Sequence, residues 1–380
     1  MASKSKHVPI AKTLANFPVR AVLSPSRFCL SSLLCLLAPF SLLVIAQTQD
    51  RSEETVRVRT RVVFIDTLVK DKKTGASVTD LTRENFEVLA DGKPRTLSYF
   101  SRADQDQRRP LALVLVLDLV ARDTSAYLRR AEVVESLAAT LKRLPPGDEV
   151  AVMANLGGAG APLRILTDFT RDPAKVAEAL AVVPTLPVPE ARWYGEELGN
   201  VLERVEQAAA ERPNSQIILV PVTTVLGPIP FAQRNEIAAR LIRANAYFSP
   251  LICDPSSANI RMSQLPGKYP TTPRPIFSAL GRLAGTDMYA PQHIAEQTGG
   301  EAISVNQPQD YVAALERMIA NLSARYSLGF ALNQNEQDDG RMHKLEVRIK
   351  ARDARGKERK LIVRARQGYY IPRVEQTPSR

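Results

Sequence analysis

Beyond residue 50 the sequence holds two histidines, His293 and His343, and one cysteine, Cys253. Acid–base and nucleophilic catalysis lean on such side chains, or on a serine held in a strained elbow. No Gly-x-Ser-x-Gly elbow, His-Glu-x-x-His pair or Cys-x-x-Cys pair occurs. Gly157-Gly158-Ala159-Gly160 lacks the Lys-Ser/Thr of a phosphate loop and lies between two strand-like runs, so it reads as a hairpin. Asp66, Asp71, Glu84 and Glu87 read as solvated strand and turn residues. Cys253 reads as a core or loop thiol. This inventory points away from an enzyme and implies no cofactor; a hydrolase with an unrecognised site is the remaining catalytic alternative.

What remains is chemistry suited to binding. Asp118 closes the apolar run Leu111–Leu117, with Arg122 just after it. The proline-rich stretch Pro184–Glu190 delivers Trp193, the single tryptophan, and Tyr194. An irregular stretch from Cys253 to Pro275 carries Arg261, Met262, Lys268, Tyr269 and Arg274. Structureless loops of that length are commonly functional, and Trp, Tyr, Met and Arg are enriched in protein-binding patches. The plain alternative is that Trp193 packs against its own helix and that the long loop is merely mobile. The candidate binding residues are Asp118, Arg122, Trp193, Tyr194, Thr223, Thr224, Arg261 and Tyr269, with no metal assigned.

These residues need a scaffold, and the hydrophobic pattern supplies one in three blocks. Residues 56–103 read as short β segments, with Asp91-Gly92 as a tight hairpin turn. Residues 110–323 alternate strands and helices. Leu111–Leu117 is continuous enough to be buried on both faces. Residues 124–143 are predicted helical with Asp123 as N-cap. Strands are predicted at 149–155, 163–166, 216–222, 247–252 and 302–305. Helices are predicted near 172–183, 194–211, 231–245, 276–284, 291–298 and 309–322. Alternation of this kind implies an α/β domain with a parallel sheet covered on both sides. Residues 324–372 return to β, with Leu345, Val347 and Ile349 alternating with charged neighbours. Each β segment is too small to stand alone. They are expected to pair into one small β-sandwich with the α/β domain inserted, or else to flank it as two separate pieces.

Six stretches stand out: Val78–Val88 with Asp91-Gly92-Lys93-Pro94, Pro110–Asp118, Ala295-Glu296-Gln297-Thr298-Gly299-Gly300, Tyr326–Phe330, Asp339–Leu345 and Arg364–Tyr370. Together they resemble the exported bacterial proteins, common in acidobacteria, that carry a von Willebrand factor A-related (VWA) domain. The resemblance spans about residues 56–372. It implies a Rossmann-like sheet with a metal-ion-dependent adhesion site at the carboxyl ends of its strands. Such a site takes an Asp-x-Ser-x-Ser segment, a Thr from a second loop and an Asp after the central strand, all oxygen donors for a hard cation. Here the segment reads Asp118-Leu119-Val120-Ala121-Arg122. Val120 and Arg122 replace the serines, Ala191–Gly195 offers no Thr, and Leu219–Thr224 ends without an Asp. The site is expected to be degenerate and to bind no metal. A shifted site at Asp123, Thr124 and Ser125 is the alternative.

The formal charge is +11. Residues 1–46 carry Lys4, Lys6, Lys12, Arg20 and Arg27 and no acid; without those five the chain has 46 basic against 40 acidic residues. That mild excess is weak evidence for an acidic partner, and no nucleic-acid partner is expected. The five charges precede the apolar run Phe28–Ile45, broken by Ser31, Ser32, Pro39 and Ser41. This reads as a signal peptide cleaved after Ala46, giving a secreted or periplasmic protein; an inner-membrane anchor is the alternative. Membrane contact is expected only through the leader, and only if it is uncleaved. With Cys29 and Cys35 in the leader, no internal disulfide is expected. The expected partner is a protein of the periplasm or extracellular space.

Overall fold

The computed structural model describes residues 61–102, 109–120, 122–156, 163–187, 197–224, 229–253, 283, 285–287 and 289–371. The leader and most of the predicted helix at 276–284 lie outside them. The strands, numbered in chain order, are β1 (Val62–Asp71), β2 (Phe86–Ala90), β3 (Lys93–Arg95), β4 (Leu97–Ser101), β5 (Leu111–Asp118), β6 (Glu149–Asn155), β7 (Arg164–Thr170), β8 (Gln216–Thr224), β9 (Ile229–Pro230), β10 (Ala246–Phe248), β11 (Leu251–Cys253), β12 (Thr286–Asp287), β13 (Ile303–Val305), β14 (Tyr326–Ala331), β15 (His343–Ile349), β16 (Leu361–Arg364) and β17 (Gly368–Tyr369).

The central sheet has the order β13-β11-β8-β5-β6-β7, with β10 also on β8. Its pairings are parallel except the edge pair β6–β7. Read from β7, the strands run third, second, first, then onward to the other edge, which is the order of a doubly wound sheet. All eight residues of β5 are buried. Because side chains alternate along a strand, Leu111, Leu113, Leu115 and Leu117 enter one apolar cluster with the helices Ala131–Leu141 and Tyr311–Ser323. Ala112, Val114 and Val116 enter the other with the helices Glu197–Glu211, Phe231–Arg243 and Ala290–Thr298. Each buried leucine contributes roughly 1.5–3 kcal/mol. The result is a three-layer α/β/α unit.

Two local departures from the sequence pattern have clear causes. The predicted helix over 124–143 is two helices, Arg122–Leu128 and Ala131–Leu141, so Asp123 sits inside the first turn rather than at a cap. Between them the Arg129 guanidinium donates to Ser125 Oγ at 2.9 Å and to the carbonyls of Leu186 and Pro187. The predicted strand over 247–252 is β10 and β11, in one register against β8. Ser249 N–H donates to the Leu219 carbonyl at 2.9 Å. The next rung of an evenly spaced parallel ladder would come from residue 221, and Pro221 has no N–H to give.

The β segments from the two ends of the chain interleave. One antiparallel sheet has the order β16-β1-β14-β4 and the other β17-β15-β2-β3. Both contribute to one cluster that includes Ile65, Val88, Leu328, Phe330 and Leu345. Phe86 of one sheet lies 4.9 Å from Tyr326 of the other. Asp91 (φ 50°) and Gly92 (φ 76°) turn β2 into β3, the left-handed conformations that this dipeptide tolerates.

The sheets join the α/β unit at the amino ends of its parallel strands. Asp66 of β1, expected in solvent, is fully buried there. Its carboxylate accepts from Arg109 Nη1 (2.9 Å), Tyr247 Oη (3.0 Å) and Ser327 Oγ. Arg109 also donates to the carbonyls of Asn214 and Ser215, just ahead of β8. Burial, then the Asp66 charge, pushes the Tyr247 phenol above its ordinary pKa. This attachment leaves the carboxyl ends of the parallel strands on the opposite side, clear of the β sheets.

Candidate functional site

At that carboxyl edge Asp118 and Asn155 are register partners on β5 and β6, and Val222 of β8 is the partner of Leu117. Asp118 is 6% exposed and Thr223 is 2% exposed. Thr223 Oγ1 donates to Asp118 Oδ2, and Val120 N–H donates to Asp118 Oδ1 at 3.0 Å. Each carboxylate oxygen therefore already has a donor from the chain itself. Leu119 N–H donates to the Asn155 carbonyl at 2.9 Å, which pins the segment after β5 to β6. The side chains of Leu119 and Val120 are buried at 0% and 4% exposure. Neither side chain carries an oxygen donor. Tyr311 donates its hydroxyl to the Thr223 carbonyl and lies 6.4 Å from the Tyr127 ring.

The other predicted site residues divide by what is described of them. Arg122 opens the helix Arg122–Leu128 and Thr224 closes β8, so their backbones flank Asp118. Trp193, Tyr194, Arg261 and Tyr269 lie outside the described residues, as do Gly157–Gly160. The topology still says where the loop before Trp193 starts. Because β7 runs antiparallel to β6, the helix Pro173–Ala181 that follows climbs back toward the carboxyl edge. Asp172 caps that helix by accepting from Ala174 N–H at 2.9 Å, with Pro173 at its first position. Arg129 then holds the carbonyls of Leu186 and Pro187, fixing the entry to the loop.

A second cluster on this side was not legible in the sequence. The helices Phe231–Arg243 and Ala290–Thr298 both start at the carboxyl edge, since each leads back to a parallel strand. Between their first turns Asp287, 5% exposed, accepts from Arg234 Nη1 at 2.8 Å and from Tyr289 N–H at 2.8 Å. His293 Nδ1 is 2.6 Å from the same carboxylate, and its side chain is 44% exposed. Burial alone would push the Asp287 carboxyl up; the hydrogen bonds from His293 and Arg234 outweigh it and hold the pKa below the ordinary value. The available signal was the scarcity of histidine, but the cluster centres on Asp287, 6 residues from His293 and 53 from Arg234. Among the described residues no group of three or more His, Cys, Asp or Glu has the geometry of a metal site.

No family model matches the sequence, and no curated protein matches it. Among solved structures the chain is similar to the human COPII-coat protein Sec24c, with a TM-score of 0.34 and 11% identity over 70% of this chain. It spans 45% of that protein's chain. It is also similar to the conserved hypothetical protein BatB from Bacteroides thetaiotaomicron (TM-score 0.33, 14% identity, 56% of this chain and 98% of that one). A third similar structure is an aerotolerance-related membrane protein from Bacteroides fragilis (TM-score 0.35, 14% identity, 55% of this chain and 98% of that one). The fold described here rests on its own strand order. Among the described residues no helix is long and apolar enough to cross a membrane.

Proposed function

We propose that this protein is a non-enzymatic, adhesion-type interaction module of the cell envelope or secreted space. On this reading a VWA-like domain captures a protein partner through the carboxyl edge of its parallel sheet, without a metal ion. A small β-sandwich made from the chain's two ends carries it, and the leader is removed after Ala46. The observation that supports the metal-free reading most is the state of Asp118. It is the one position of the adhesion motif that keeps its carboxylate, and both oxygens are engaged by Thr223 and Val120. An octahedral cation needs several free oxygens converging on one point, and buried Val120 offers none.

Two measurements test this reading. Titration of Mg²⁺ or Mn²⁺ into the purified protein is expected to give no binding heat; micromolar affinity overturns the metal-free reading. Crosslinking in the native envelope, read by mass spectrometry, is expected to capture a partner that Trp193→Ala and Arg122→Glu lose while their melting temperatures hold. Capture unchanged in both variants overturns the carboxyl-edge assignment. The shifted Mg²⁺ site at Asp123, Thr124 and Ser125 is disfavoured by one contact. Buried Ser125 Oγ accepts from Arg129, whose permanent charge opposes a cation there. An esterase, protease and glycosidase screen is expected to be silent.

A further inference from the structure

Where the β sheets meet the amino ends of the parallel strands, positive charge outnumbers negative. Arg325 and Arg366 are 3% and 6% exposed. Arg325 Nη1 donates to the Asp66 carbonyl at 3.3 Å, and Arg366 Nη2 donates to the Phe64 carbonyl. Both therefore cap the part of β1 that β16, paired only with residues 68–71, leaves uncovered. Arg364, the last residue of β16, is paired in register with Leu68, and its charge acts on Arg325. The Nε atoms of Arg325, Arg364 and Arg366 are all buried and have no hydrogen-bond partner among the described residues.

The nearby acids are already taken. Asp66 serves Arg109, Tyr247 and Ser327. Glu301, the other carboxylate whose charge reaches Arg325, accepts from Lys70 at 2.7 Å and Asn321 at 2.8 Å. Lys70 and Arg109 thus take up Glu301 and Asp66, and no side-chain ion pair to Arg325, Arg364 or Arg366 occurs among the described residues. Withdrawing unmatched like charges from water is strongly unfavourable unless a counter-charge joins them. Three of the stretches singled out in the sequence also converge here. A Cβ on Gly299 would sit 2.4 Å from Arg366 N, Gln367 N–H donates to the Gln297 carbonyl at 2.9 Å, and Arg325 directly precedes Tyr326 of β14.

We infer that Arg325, Arg364 and Arg366 form a binding site for a small oxyanion of the phosphate or sulfate class, which completes the joint between the β sheets and the α/β unit. Guanidinium forks match anions that offer several oxygens, so an oxyanion satisfies three of them better than a halide can. This inference is independent of the carboxyl-edge reading, because it concerns the opposite end of the parallel strands.

The test is thermal unfolding of the purified protein at constant ionic strength, with sodium gluconate replaced by phosphate, sulfate, acetate or chloride. Phosphate or sulfate is expected to raise Tm saturably, by about 5 °C at a hundred-fold excess over Kd. Arg364→Gln, at a half-buried position, is expected to melt above the wild type in gluconate, having lost an unmatched charge, and to bind phosphate at least ten-fold more weakly. Arg348→Gln, an exposed residue tied to Glu346 at 2.7 Å, is expected to keep the wild-type response. No response in the wild type, an equal response in Arg364→Gln, or a chloride effect matching phosphate overturns the site. If Arg364→Gln does not fold, calorimetric titration of phosphate into the wild type decides: saturable binding near one per chain supports the site, and its absence overturns it.

Discussion

A carboxylate at the end of a central strand can hold a cation or hold its own loop, and its neighbours decide which. Around Asp118 the neighbours are a hydroxyl, a backbone N–H and two buried aliphatic side chains. Thr223→Val keeps the shape of the site but leaves a buried carboxylate oxygen without that donor. The expected cost is about 1–3 kcal/mol, measured as a lower urea midpoint with an unchanged slope, whereas Thr223→Ser should stay close to the wild type. Asp287 makes the contrasting case, a buried acid that orients an exposed histidine. Its pKa is held below the ordinary value despite burial, by hydrogen bonds from His293 and Arg234. A depressed carboxylate stabilises the fold fully above its unfolded pKa, near 4, and loses that contribution as pH falls through the folded value. Stability measured from pH 7 down to pH 2.5 should therefore fall less steeply in Asp287→Asn than in the wild type. Equal acid limbs would remove Asp287 from the account.

Elements differ in how openly the sequence announces them. The run Leu111–Leu117 reads as a strand buried on both faces, and β5 is that strand. The alternation in Leu345, Val347 and Ile349 likewise marks β15. What periodicity could not show is an element broken by something distant. The helix break at Arg129 depends on carbonyls 57 and 58 residues away, and the gap between β10 and β11 depends on a proline in the neighbouring strand. The same limit hid Asp66, read as solvated because its partners Arg109, Tyr247 and Ser327 are 43, 181 and 261 residues distant. Of the candidate site, Asp118 and Thr223 could be named from strand ends, but not their bond to each other. Gly300 shows what close packing asks of an element. A Cβ there would lie 2.0 Å from the Phe248 carbonyl oxygen and 2.9 Å from Ser249 Oγ. Backbone cannot retreat as a flexible side chain can, so Gly300→Ala is expected to cost at least about 4 kcal/mol, read as loss of soluble folded protein or a large drop in melting temperature.

At the scale of the whole molecule, the joint is expected to decide whether the β sheets and the α/β unit unfold together. It is built from a fully buried acid, its arginine and a tyrosine, and these come from β1, the segment before β5, and β10. Removing one member strands the others. Asp66→Asn leaves Arg109 buried without its counter-charge, and breaking such a pair typically costs about 3–5 kcal/mol. Replacing both members with apolar residues of similar volume removes the stranded charge as well, so Asp66→Leu with Arg109→Met should be less damaging than Asp66→Asn alone. That sign reversal separates an electrostatic joint from one held by packing alone, in which the double variant would be the worse. The same variants report on cooperativity. If the polar joint couples the two parts, the wild type should melt in one calorimetric transition with matching calorimetric and van't Hoff enthalpies. Asp66→Asn should then separate into two transitions as the sheets and the α/β unit lose their common anchor. Two transitions already present in the wild type would mean that the parts are stable apart, and the carboxyl edge could then be studied on the α/β unit by itself.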